Sequence, residues 1–548
     1  MGQIPVLSCE HLSFCYPRQT EEAIHDICFR MEGAEFIVLC GPSGCGKTTF
    51  LRHFKKNQIP FGTGSGHMYY RGKDLETLND RESAARIGYV GQNPDTQLVT
   101  DKVWHELAFG LENLGVPGMQ IRRRTAEIAQ YFGMESWFHK NVSELSGGQK
   151  QILNLASVVI MQPDVLLLDE PTAQLDPIGA GRFLDTLVRL NRDLGTAVLL
   201  SEQRLEEVMP LADRVLLMDQ GHMIGDSVPG KCAGILEQFE KEHGKELPIA
   251  PAMPVAVRVW QKCHGDNETE SPVSIRQGKE WLRKRVRKSG QADKEIQVDK
   301  KQIALEARGI SFAYEKGKRV LDDFSLQVPK GSLFAVMGGN GSGKSTALKI
   351  LMGIYKPRRG KVKTMGTVRY LAQNPQSLFT ELTVEEELMV MQPRSTEKGQ
   401  QPWKEMLHYL ELEGQREQNP MDLSGGQQQR LAMGKLLMTD PDILLLDEPT
   451  KGLDGAFKEK LADMLKDLCA RGKTILLVSH DMNFCAQYAD ICGLLFDGQM
   501  ISQDRTENFF EDNVFYTTPA SRMSEGILEH CFRTEDIIKV LQKAGDAG

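Results

Sequence analysis

The stretch Gly41–Thr49 reads GPSGCGKTT, and Gly338–Thr346 repeats it as GGNGSGKST. Both match the pattern G-x-x-x-x-G-K-[ST] of a phosphate-binding loop. Each follows an apolar segment typical of a buried strand and precedes a segment that can form a helix. Glycines let backbone N–H groups turn inward around phosphate oxygens, and the helix N-terminus adds a positive potential. We therefore predict a strand, loop and helix that bind a nucleotide in each half of the chain.

Every residue of the two glycine loops is a candidate nucleotide ligand. We expect Lys47 and Lys344 to contact the β- and γ-phosphates, and Thr48 and Ser345 to ligate Mg²⁺. The complete candidate set is Gly41, Pro42, Ser43, Gly44, Cys45, Gly46, Lys47, Thr48 and Thr49, and Gly338, Gly339, Asn340, Gly341, Ser342, Gly343, Lys344, Ser345 and Thr346.

Outward from the loops, four further blocks recur in the same order in both halves. They are LSFCYP and ISFAYE, GQNPDTQ and AQNPQSL, LSGGQKQ and LSGGQQQ, and PDVLLLDEPTAQLD and PDILLLDEPTKGLD. The second half lacks a counterpart of HMYYRGKDLETLNDRESAA, which is typical of a strand, a turn and a short helix. The repeat predicts two similar domains in tandem.

Continuous apolar strands that alternate with helices predict an α/β fold with a largely parallel sheet in each half. We expect a first domain over residues 1–234, a linker over 235–302, a second domain over 303–505 and a C-terminal tail over 506–548. The linker carries a basic cluster of Lys279, Arg283, Lys284, Arg285, Arg287 and Lys288.

The bulk composition favours a soluble globular protein of the cytosol. The chain has 548 residues, of which 41% are hydrophobic and 26% charged, with a formal net charge of −8. General attraction to nucleic acid or anionic lipid is not expected from an acidic chain. We see no signal peptide and no apolar run long enough to span a bilayer. The 11 cysteines contain no C-x-x-C pair, which argues against a disulfide framework or a zinc site.

Paired acids follow the apolar run of each LLLDEP block. Asp169 and Asp447 can hold the Mg²⁺ shell beside the glycine loop. Glu170 and Glu448 come next and can polarise an attacking water as general bases. A purely structural role, in which these acids only end a strand, is the alternative that the two glycine loops disfavour.

The glycine loop, LSGGQ and LLLDEP in this order resemble the ATP-binding-cassette (ABC) family over both halves. The resemblance implies that two cassettes close head to tail on two ATP molecules. Ser146, Gly147, Gly148 and Gln149 would then face the ATP held by Lys344, and Ser424, Gly425, Gly426 and Gln427 the ATP held by Lys47. Tyr16 and Tyr314 match the aromatic residue that stacks on adenine in the family, although each fits an edge-strand aromatic equally well.

The resemblance also assigns residues that sense the γ-phosphate and the attacking water. Gln92 and Gln373 match the glutamine that reaches the Mg²⁺ and the water. His480 matches the switch histidine, whereas the first half reads VLLSEQRLEEV and offers Glu202 or Gln203. We favour Gln203 and predict unequal sites. The faster one is built from Lys344, Gln373, Glu448, His480 and the first LSGGQ, and the alternative is that both sites work.

QNPDTQLVTDKVWHELAFGLENLG and SEQRLEEVMPLADRV resemble energy-coupling-factor (ECF) importer ATPases. Those systems take up vitamins or transition-metal ions and pair the ATPase with an integral membrane scaffold and a small substrate-capture membrane subunit. The resemblance implies a peripheral position on the cytoplasmic membrane face. The apolar stripes that follow each Gln-Asn-Pro turn fit either core packing or a docking face; they are Val103, Trp104, Leu107, Ala108 and Leu111, and Val384, Leu388 and Met391.

Two alternative functions remain at this point. A soluble tandem-cassette factor that acts on ribosomes is suggested by the basic cluster, because lysines and arginines can contact phosphates. A double ATPase of a sugar importer is the closer alternative, and the Gln-Asn-Pro-Asp-Thr-Gln wording disfavours it.

Overall fold

The computed structural model describes residues 4–17, 19, 21–265, 268–286, 302–314, 319–392, 401–451, 453, 455–513 and 516–545. These residues form two compact units, Met1–Trp281 and Leu282–Gly548. Arg287 and Lys288 of the basic cluster lie outside the described residues.

The first unit contains ten strands and ten helices among its described residues, the last helix running a few residues past Trp281. The strands are β1 (Leu7–Cys15), β2 (Ile24–Met31), β3 (Phe36–Cys40), β4 (Thr63–Tyr70), β5 (Lys73–Asp74), β6 (Ile87–Val90), β7 (Val165–Asp169), β8 (Ala197–Ser201), β9 (Arg214–Asp219) and β10 (His222–Ser227). The helices are α1 (Lys47–His53), α2 (Asp80–Arg86), α3 (Val103–Asn113), α4 (Gly118–Tyr131), α5 (Gly147–Val159), α6 (Pro177–Leu194), α7 (Leu205–Val208), α8 (Cys232–His243), α9 (Val255–Cys263) and α10 (Ile275–Arg285).

The second unit repeats this order with nine strands and nine helices among its described residues. The strands are β11 (Ile303–Phe312), β12 (Leu321–Pro329), β13 (Leu333–Met337), β14 (Arg359–Thr364), β15 (Val368–Leu371), β16 (Ile443–Asp447), β17 (Thr474–Val478), β18 (Ile491–Phe496) and β19 (Gln499–Arg505). The helices are α11 (Lys344–Leu351), α12 (Val384–Met389), α13 (Pro402–Tyr409), α14 (Gly425–Leu437), α15 (Gly455–Ala470), α16 (Met482–Tyr488), α17 (Thr506–Asp512), α18 (Pro519–Ser524) and α19 (Thr534–Gly545).

The main sheet has the same order in both units. It runs β10-β9-β3-β8-β7-β6 in the first unit and β19-β18-β13-β17-β16-β15 in the second. All neighbours pair in parallel except β9 with β10 and β18 with β19. The central strands are buried along their whole length, which explains their continuous apolar sequence. The predicted α/β fold with a mixed, largely parallel sheet is confirmed.

A smaller antiparallel sheet covers one face of the main sheet. In the first unit it has the order β2-β1-β4-β5, and in the second β12-β11-β14. Residues 71–86, with β5 and α2, separate β4 from β6, whereas β15 begins four residues after β14 ends. The missing segment of the second half is therefore this turn and helix, while its strand has a counterpart in β14.

The glycine loops and the acidic residues meet at one edge of the main sheet. The carboxyl ends of neighbouring parallel strands lie at the same edge, which is where ligands bind in such sheets. β3 leads into the first loop, β7 ends at Asp169 and β8 ends at Ser201. The strand order alone therefore brings the glycine loop and the strand-end residues together, although they are far apart in the sequence.

A helical subdomain follows the Gln-Asn-Pro turn in each unit. Val103, Leu107 and Leu111 of α3 are buried against α4 and α5 in the first. Val384 and Leu388 of α12 are buried against α13 and α14 in the second, with Met391 packed on the same cluster. The predicted apolar stripes are therefore mainly core.

Residues 235–285 of the expected linker are largely helical. Leu236 of α8 and Val257 and Trp260 of α9 are buried in the core of the first unit. The tail behaves in the same way, because Phe509 and Phe510 of α17 join the core of the second unit. The apolar spacing of these short helices explains why they pack rather than stay extended. No helix among the described residues is both long and apolar enough to cross a membrane.

Candidate nucleotide-binding sites

The two glycine loops have the same geometry. Gly46 and Gly343 precede α1 and α11 with φ angles of 105° and 103°, a left-handed conformation that favours glycine. A Cβ on Gly46 would lie 2.5 Å from the Ala23 carbonyl oxygen, so the loop has no room for a side chain there. The first helical residue in each case is the candidate lysine.

Both loop lysines are buried and donate to carbonyl oxygens of their own loop. Lys47 Nζ lies 2.8 Å from Gly41 O and 2.9 Å from Pro42 O. Lys344 Nζ makes the same contacts with Gly338 O and Gly339 O. An ammonium group centred in a ring of backbone groups is positioned to bind phosphate oxygens.

Asp169 connects the first glycine loop with two strands of the sheet. Its Oδ1 accepts hydrogen bonds from Thr48 Oγ1 at 3.1 Å and from Ser201 Oγ at 2.8 Å. Its Oδ2 accepts one from Tyr89 Oη at 3.2 Å. Thr48 and Asp169, both expected to hold Mg²⁺, are therefore in contact, and their role as metal ligands stays a prediction.

Asp447 is the corresponding residue of the second site. Its Oδ2 accepts a hydrogen bond from Tyr370 Oη at 3.0 Å. Its Oδ1 is buried and has no hydrogen-bond partner among the described residues. A cation would satisfy that orphaned oxygen, and carboxylate, hydroxyl and amide oxygens are ligands that Mg²⁺ prefers. The donor sets therefore fit Mg²⁺; they are Thr48, Gln92 and Asp169 in the first site and Ser345, Gln373 and Asp447 in the second.

The two candidate bases share an unusual backbone. Glu170 and Glu448 have φ angles of 45° and 53°, which is rare for residues with a side chain. Such strained positions are found at functional sites when the surrounding structure holds them. Here the N–H of Glu170 donates to Ser201 O at 3.0 Å, and that of Glu448 to Val478 O at 2.9 Å.

Gln203 contacts Glu170 directly in the first site. Gln203 Nε2 lies 2.7 Å from Glu170 Oε1 and 3.4 Å from Ser43 Oγ of the glycine loop. Glu202 instead points into the interior, where its Oε1 accepts hydrogen bonds from Thr172 N and Thr172 Oγ1. Gln203 is therefore the residue that contacts the candidate base, and its assignment to the switch position stays a prediction.

His480 takes the corresponding place in the second site. Its Nε2 lies 3.0 Å from Glu448 Oε1, and its backbone N–H donates to Glu448 Oε2 at 3.2 Å. The acid therefore has an imidazole partner in the second site and a neutral amide partner in the first.

Burial raises the pKa of both candidate bases. It raises the pKa of Glu170, although the Lys47 ammonium at 3.7 Å opposes the shift. It raises the pKa of Glu448 to about 7, opposed by the charge of Lys344. A carboxyl group with a pKa near neutral can accept a proton from water and release it again, as general-base catalysis requires.

The two Gln-Asn-Pro turns differ in what their glutamine contacts. Gln92 Nε2 lies 3.3 Å from Glu170 Oε2, so it joins the first site. Gln373 is exposed, and within the described residues it has no hydrogen bond to Glu448. The next asparagine caps a short turn in both units, with Asn93 Oδ1 accepting from Asp95 N and Asn374 Oδ1 from Gln376 N.

Tyr16 and Tyr314 lie beside the glycine loops. The hydroxyl of Tyr16 is hydrogen-bonded to Thr49 Oγ1 at 2.8 Å, and that of Tyr314 to Thr346 Oγ1 at 2.9 Å. Each ring packs edge-on against a phenylalanine two residues earlier in the chain, Phe14 or Phe312. The contact with the loop fits a role at the nucleotide base, and stacking on adenine stays a prediction.

Each LSGGQ block forms the N-terminus of a helix. In α5, Ser146 Oγ accepts from Gln149 N at 3.3 Å, and Gln149 Oε1 accepts from Ser146 N at 3.0 Å. Ser424 and Gln427 form the same reciprocal cap on α14. A capping box explains the serine-to-glutamine spacing, and the glycines between them, Gly147 and Gly148 or Gly425 and Gly426, leave backbone N–H groups accessible to an anion.

Two tyrosines, Tyr89 and Tyr370, were not identified from the sequence as residues of the candidate sites. Tyr89 and Tyr370 end up beside Asp169 and Asp447 because β6 and β15 pair with the strands that carry the acids. The signal was available, since both tyrosines stand three residues before the glutamine of the Gln-Asn-Pro turn. Edge-strand aromatics are common, so the repeat alone did not distinguish them from core residues.

Comparison with known proteins identifies both halves with one family. The model of the ABC transporter family matches residues 24–173 and 321–451, which together are just over half of the chain. A Bacillus anthracis protein named as an ABC transporter ATP-binding protein is 41% identical to this chain, over 97% of it and 98% of its own length.

Two further similarities concern particular members. A Bacillus subtilis protein named as an HMP/thiamine import ATP-binding protein is 32% identical over 91% of this chain and 93% of its own. The solved archaeal ribosome recycling factor, in complex with the ribosomal stalk protein aP1, covers 91% of this chain with 20% identity and a TM-score of 0.57, and 90% of its own chain is matched. At that identity the likeness concerns the fold alone.

Proposed function

The chain belongs to the ABC transporter family, and from that premise we propose that this ATPase energises an ECF-type membrane importer of a vitamin or a transition-metal ion. The observation that carries the importer class is the similarity to the HMP/thiamine import ATP-binding protein, which extends over 91% of this chain and therefore through both halves. The Gln-Asn-Pro segment and the switch segment Ser201–Val215 support the same class.

In the proposed reaction each site positions ATP and activates one water. Lys47 and Lys344 exchange their loop carbonyls for β- and γ-phosphate oxygens, and Glu170 and Glu448 accept the proton of the attacking water. Gln203 and His480 orient these acids through the contacts at 2.7 Å and 3.0 Å. Mg²⁺, when bound, neutralises charge on the phosphates.

The LSGGQ helices supply the second half of each site in this proposal. Ser146–Gln149 would face the ATP held by Lys344, and Ser424–Gln427 the ATP held by Lys47. Their exposed, capped N-termini are suited to a phosphate that arrives from another domain.

We propose that the membrane partner docks beside the Gln-Asn-Pro turns. There the first unit exposes Val99 and Trp104, the latter by 40%, and the second exposes Leu382 and Val390. These side chains lie next to the buried stripes of α3 and α12, so nucleotide-dependent movement of Gln92 or Gln373 would reach them. The expected partners are an integral membrane scaffold and a small substrate-capture subunit on the cytoplasmic membrane face.

A pull-down from gently solubilised cells, with mass spectrometry, tests the proposal. The tagged chain should recover a multi-span scaffold and a small membrane protein. Trp104→Glu combined with Val390→Glu should reduce that recovery at least tenfold, because two desolvated charges would have to enter the interface. Phe61→Glu and Ile501→Glu are matched controls, since both residues are exposed and lie outside the helical subdomains.

Recovery of ribosomal proteins without a membrane partner would overturn the importer and support the soluble alternative. In that case the basic face of α10, with Lys279, Arg283 and Lys284, would be the first surface to mutate. Equal recovery by the docking and control variants would overturn the proposed docking surface alone.

A further inference from the structure

A cavity of about 360 Å³ opens on the second unit between the end of α13 and one face of α15. Its lining includes Tyr409, Glu411, Phe457, Asp463 and Asp467. None of these residues belongs to the candidate nucleotide site, and none lies in the Gln-Asn-Pro turn. The cavity is therefore a feature that the ATPase does not explain.

The two cations of the lining are already bound by one carboxylate. Glu411 accepts from Lys460 Nζ at 2.7 and 2.8 Å and from Arg430 Nη1 at 3.4 Å. The Arg430 guanidinium also lies over the Phe457 ring, 5.0 Å from its centroid. This part of the cavity holds two positive charges against one negative charge, so its anionic side is the one that carries Asp463 and Asp467.

The other side of the cavity carries an aromatic ring and two carboxylates. Tyr409 is 45% exposed, and burial together with the nearby Asp467 carboxylate raises its pKa, although the Arg471 guanidinium opposes this shift. Asp463, one helical turn before Asp467, has no hydrogen bond or ion pair within the part of the chain that the structure describes. Asp467 pairs with Arg471, whose side chain is two-thirds exposed.

The first unit shows what occupies the corresponding place there. Tyr131 ends α4 as Tyr409 ends α13, and Arg189 of α6 stands where Asp467 stands in α15. The Arg189 guanidinium lies over the Tyr131 ring, 5.0 Å from its centroid. In the second unit the charges are exchanged, because Asp467 and Arg471 replace Arg189 and Asp193. The described residues place no cation of the chain over the Tyr409 ring.

We propose that the cavity binds an organic cation, a guanidinium or alkylammonium group, on the Tyr409 ring beside Asp463 and Asp467. The ligand takes the place that Arg189 takes in the first unit. An aromatic face attracts a cation, and a carboxylate beside it adds charge-assisted hydrogen bonds that suit the planar guanidinium. The group can come from a small molecule or from an arginine side chain of a protein.

Binding is tested on the full chain with agmatine, an alkylguanidinium, by saturation-transfer NMR and titration. Butylurea is the uncharged probe, because it has a planar head group of similar shape but lacks both positive charges of agmatine. Agmatine should bind, and butylurea should bind at least tenfold more weakly.

Two variants show whether agmatine binds at this cavity or at other acidic parts of the surface. Asp467→Arg places a cation at the position that Arg189 has in the first unit, and it should reduce agmatine affinity at least tenfold, because the chain's own cation then covers the ring. Asp463→Asn removes one carboxylate with little change of shape and should weaken binding severalfold. Asp185→Asn, the equivalent change in α6, is the control and should leave affinity and ATP turnover unchanged.

Unchanged affinity of both Asp467→Arg and Asp463→Asn, or no agmatine binding by the wild-type chain, would overturn the proposal. Loss of binding in Asp463→Asn, with thermal unfolding and ATP turnover unchanged, would support it even if Asp467→Arg did not fold. The peptide acetyl-Gly-Arg-Gly-amide tests whether the bound cation comes from an arginine side chain of a protein or from a small molecule. Tighter binding of the peptide indicates a protein side chain, and tighter binding of agmatine indicates a small molecule.

Discussion

The two nucleotide sites hold the same acid in the same left-handed backbone but give it different partners. Glu170 contacts an amide, Gln203, at 2.7 Å, whereas Glu448 contacts an imidazole, His480, at 3.0 Å. The loop lysines, by contrast, make the same contacts in both units. The loop geometry is therefore the same in the two units, whereas the group that contacts the candidate base differs.

A second difference between the units concerns the buried side-chain contacts next to the Gln-Asn-Pro turns. In the second unit, Lys435 of α14 forms a buried ion pair with Glu387 of α12 and donates to Leu378 O. In the first unit, Asn154 of α5 donates to Gln97 Oε1 at 2.7 Å, and that same oxygen accepts from Gly91 N. The first unit thus has a neutral amide contact near this turn, and its buried Glu106, at the position of Glu387, accepts from the N–H groups of Val99 and Thr100.

The largest expected effect comes from removing the base of the second site. Glu448→Gln should lower steady-state ATP turnover by about 10²–10⁴-fold at that site, because the amide cannot accept the proton of the attacking water. Glu170→Gln should lower the total turnover less, since we expect the first site to be slower. Turnover by phosphate release checks both variants, and equal losses would refute the predicted inequality of the sites.

The next effect concerns stability in the second unit. Lys435→Met should destabilise it by about 3–5 kcal/mol, because Glu387 is fully buried and would lose its charge partner. Urea unfolding monitored in the second unit provides the measurement. Asn154→Ala in the first unit should cost only about 1 kcal/mol, since a neutral hydrogen bond is lost. Combining Lys435→Met with Glu387→Gln should recover part of the loss, and the absence of any recovery would argue against the ion pair as the cause.

The buried Glu202 predicts a pH dependence of the stability of the first unit. Burial raises its pKa to about 7 from an ordinary value of 4.5, so the folded state holds this proton more tightly than the unfolded state. Its contribution to the free energy of unfolding should fall by about 3 kcal/mol as the pH rises from its ordinary pKa of 4.5 to its raised pKa of about 7. Unfolding of wild type and Glu202→Gln between pH 5 and 8 should show a flatter profile for the variant. Parallel profiles would contradict the assignment.

The smallest expected effect comes from exchanging the switch residues. His480→Gln should slow ATP turnover on the order of tenfold, because a neutral amide replaces a group that can carry a proton and form charge-assisted hydrogen bonds. Gln203→His should raise turnover at the first site, if Glu202 keeps its interior position. Single-turnover rates of the two variants sharpen the comparison, and two unchanged rates would mean that the switch residue does not set the difference between sites.

Most of the predictions from the sequence rest on motifs whose residues lie close together in the chain. The loop Gly41–Thr49, the cap Ser146–Gln149 and the strand-end pair Asp169–Glu170 each function within a few consecutive residues, so their pattern is visible in the chain. The apolar stripe of α3 was ambiguous, because core and docking faces have the same helical period. Burial decided it, leaving Trp104 as the exposed member.

The sequence by itself determined that this chain forms two α/β units and predicted a nucleotide site on each, because phosphate binding depends on backbone N–H groups and a lysine at fixed local spacing. Only the tertiary structure decided that Gln203 rather than Glu202 contacts Glu170, since that depends on which way two adjacent side chains turn at the end of β8. It also decided that Tyr89 and Tyr370 contact the acids and that no guanidinium among the described residues lies over the Tyr409 ring. Those outcomes depend on which distant residues the parallel strands and packed helices bring within contact distance, and no local pattern encodes that.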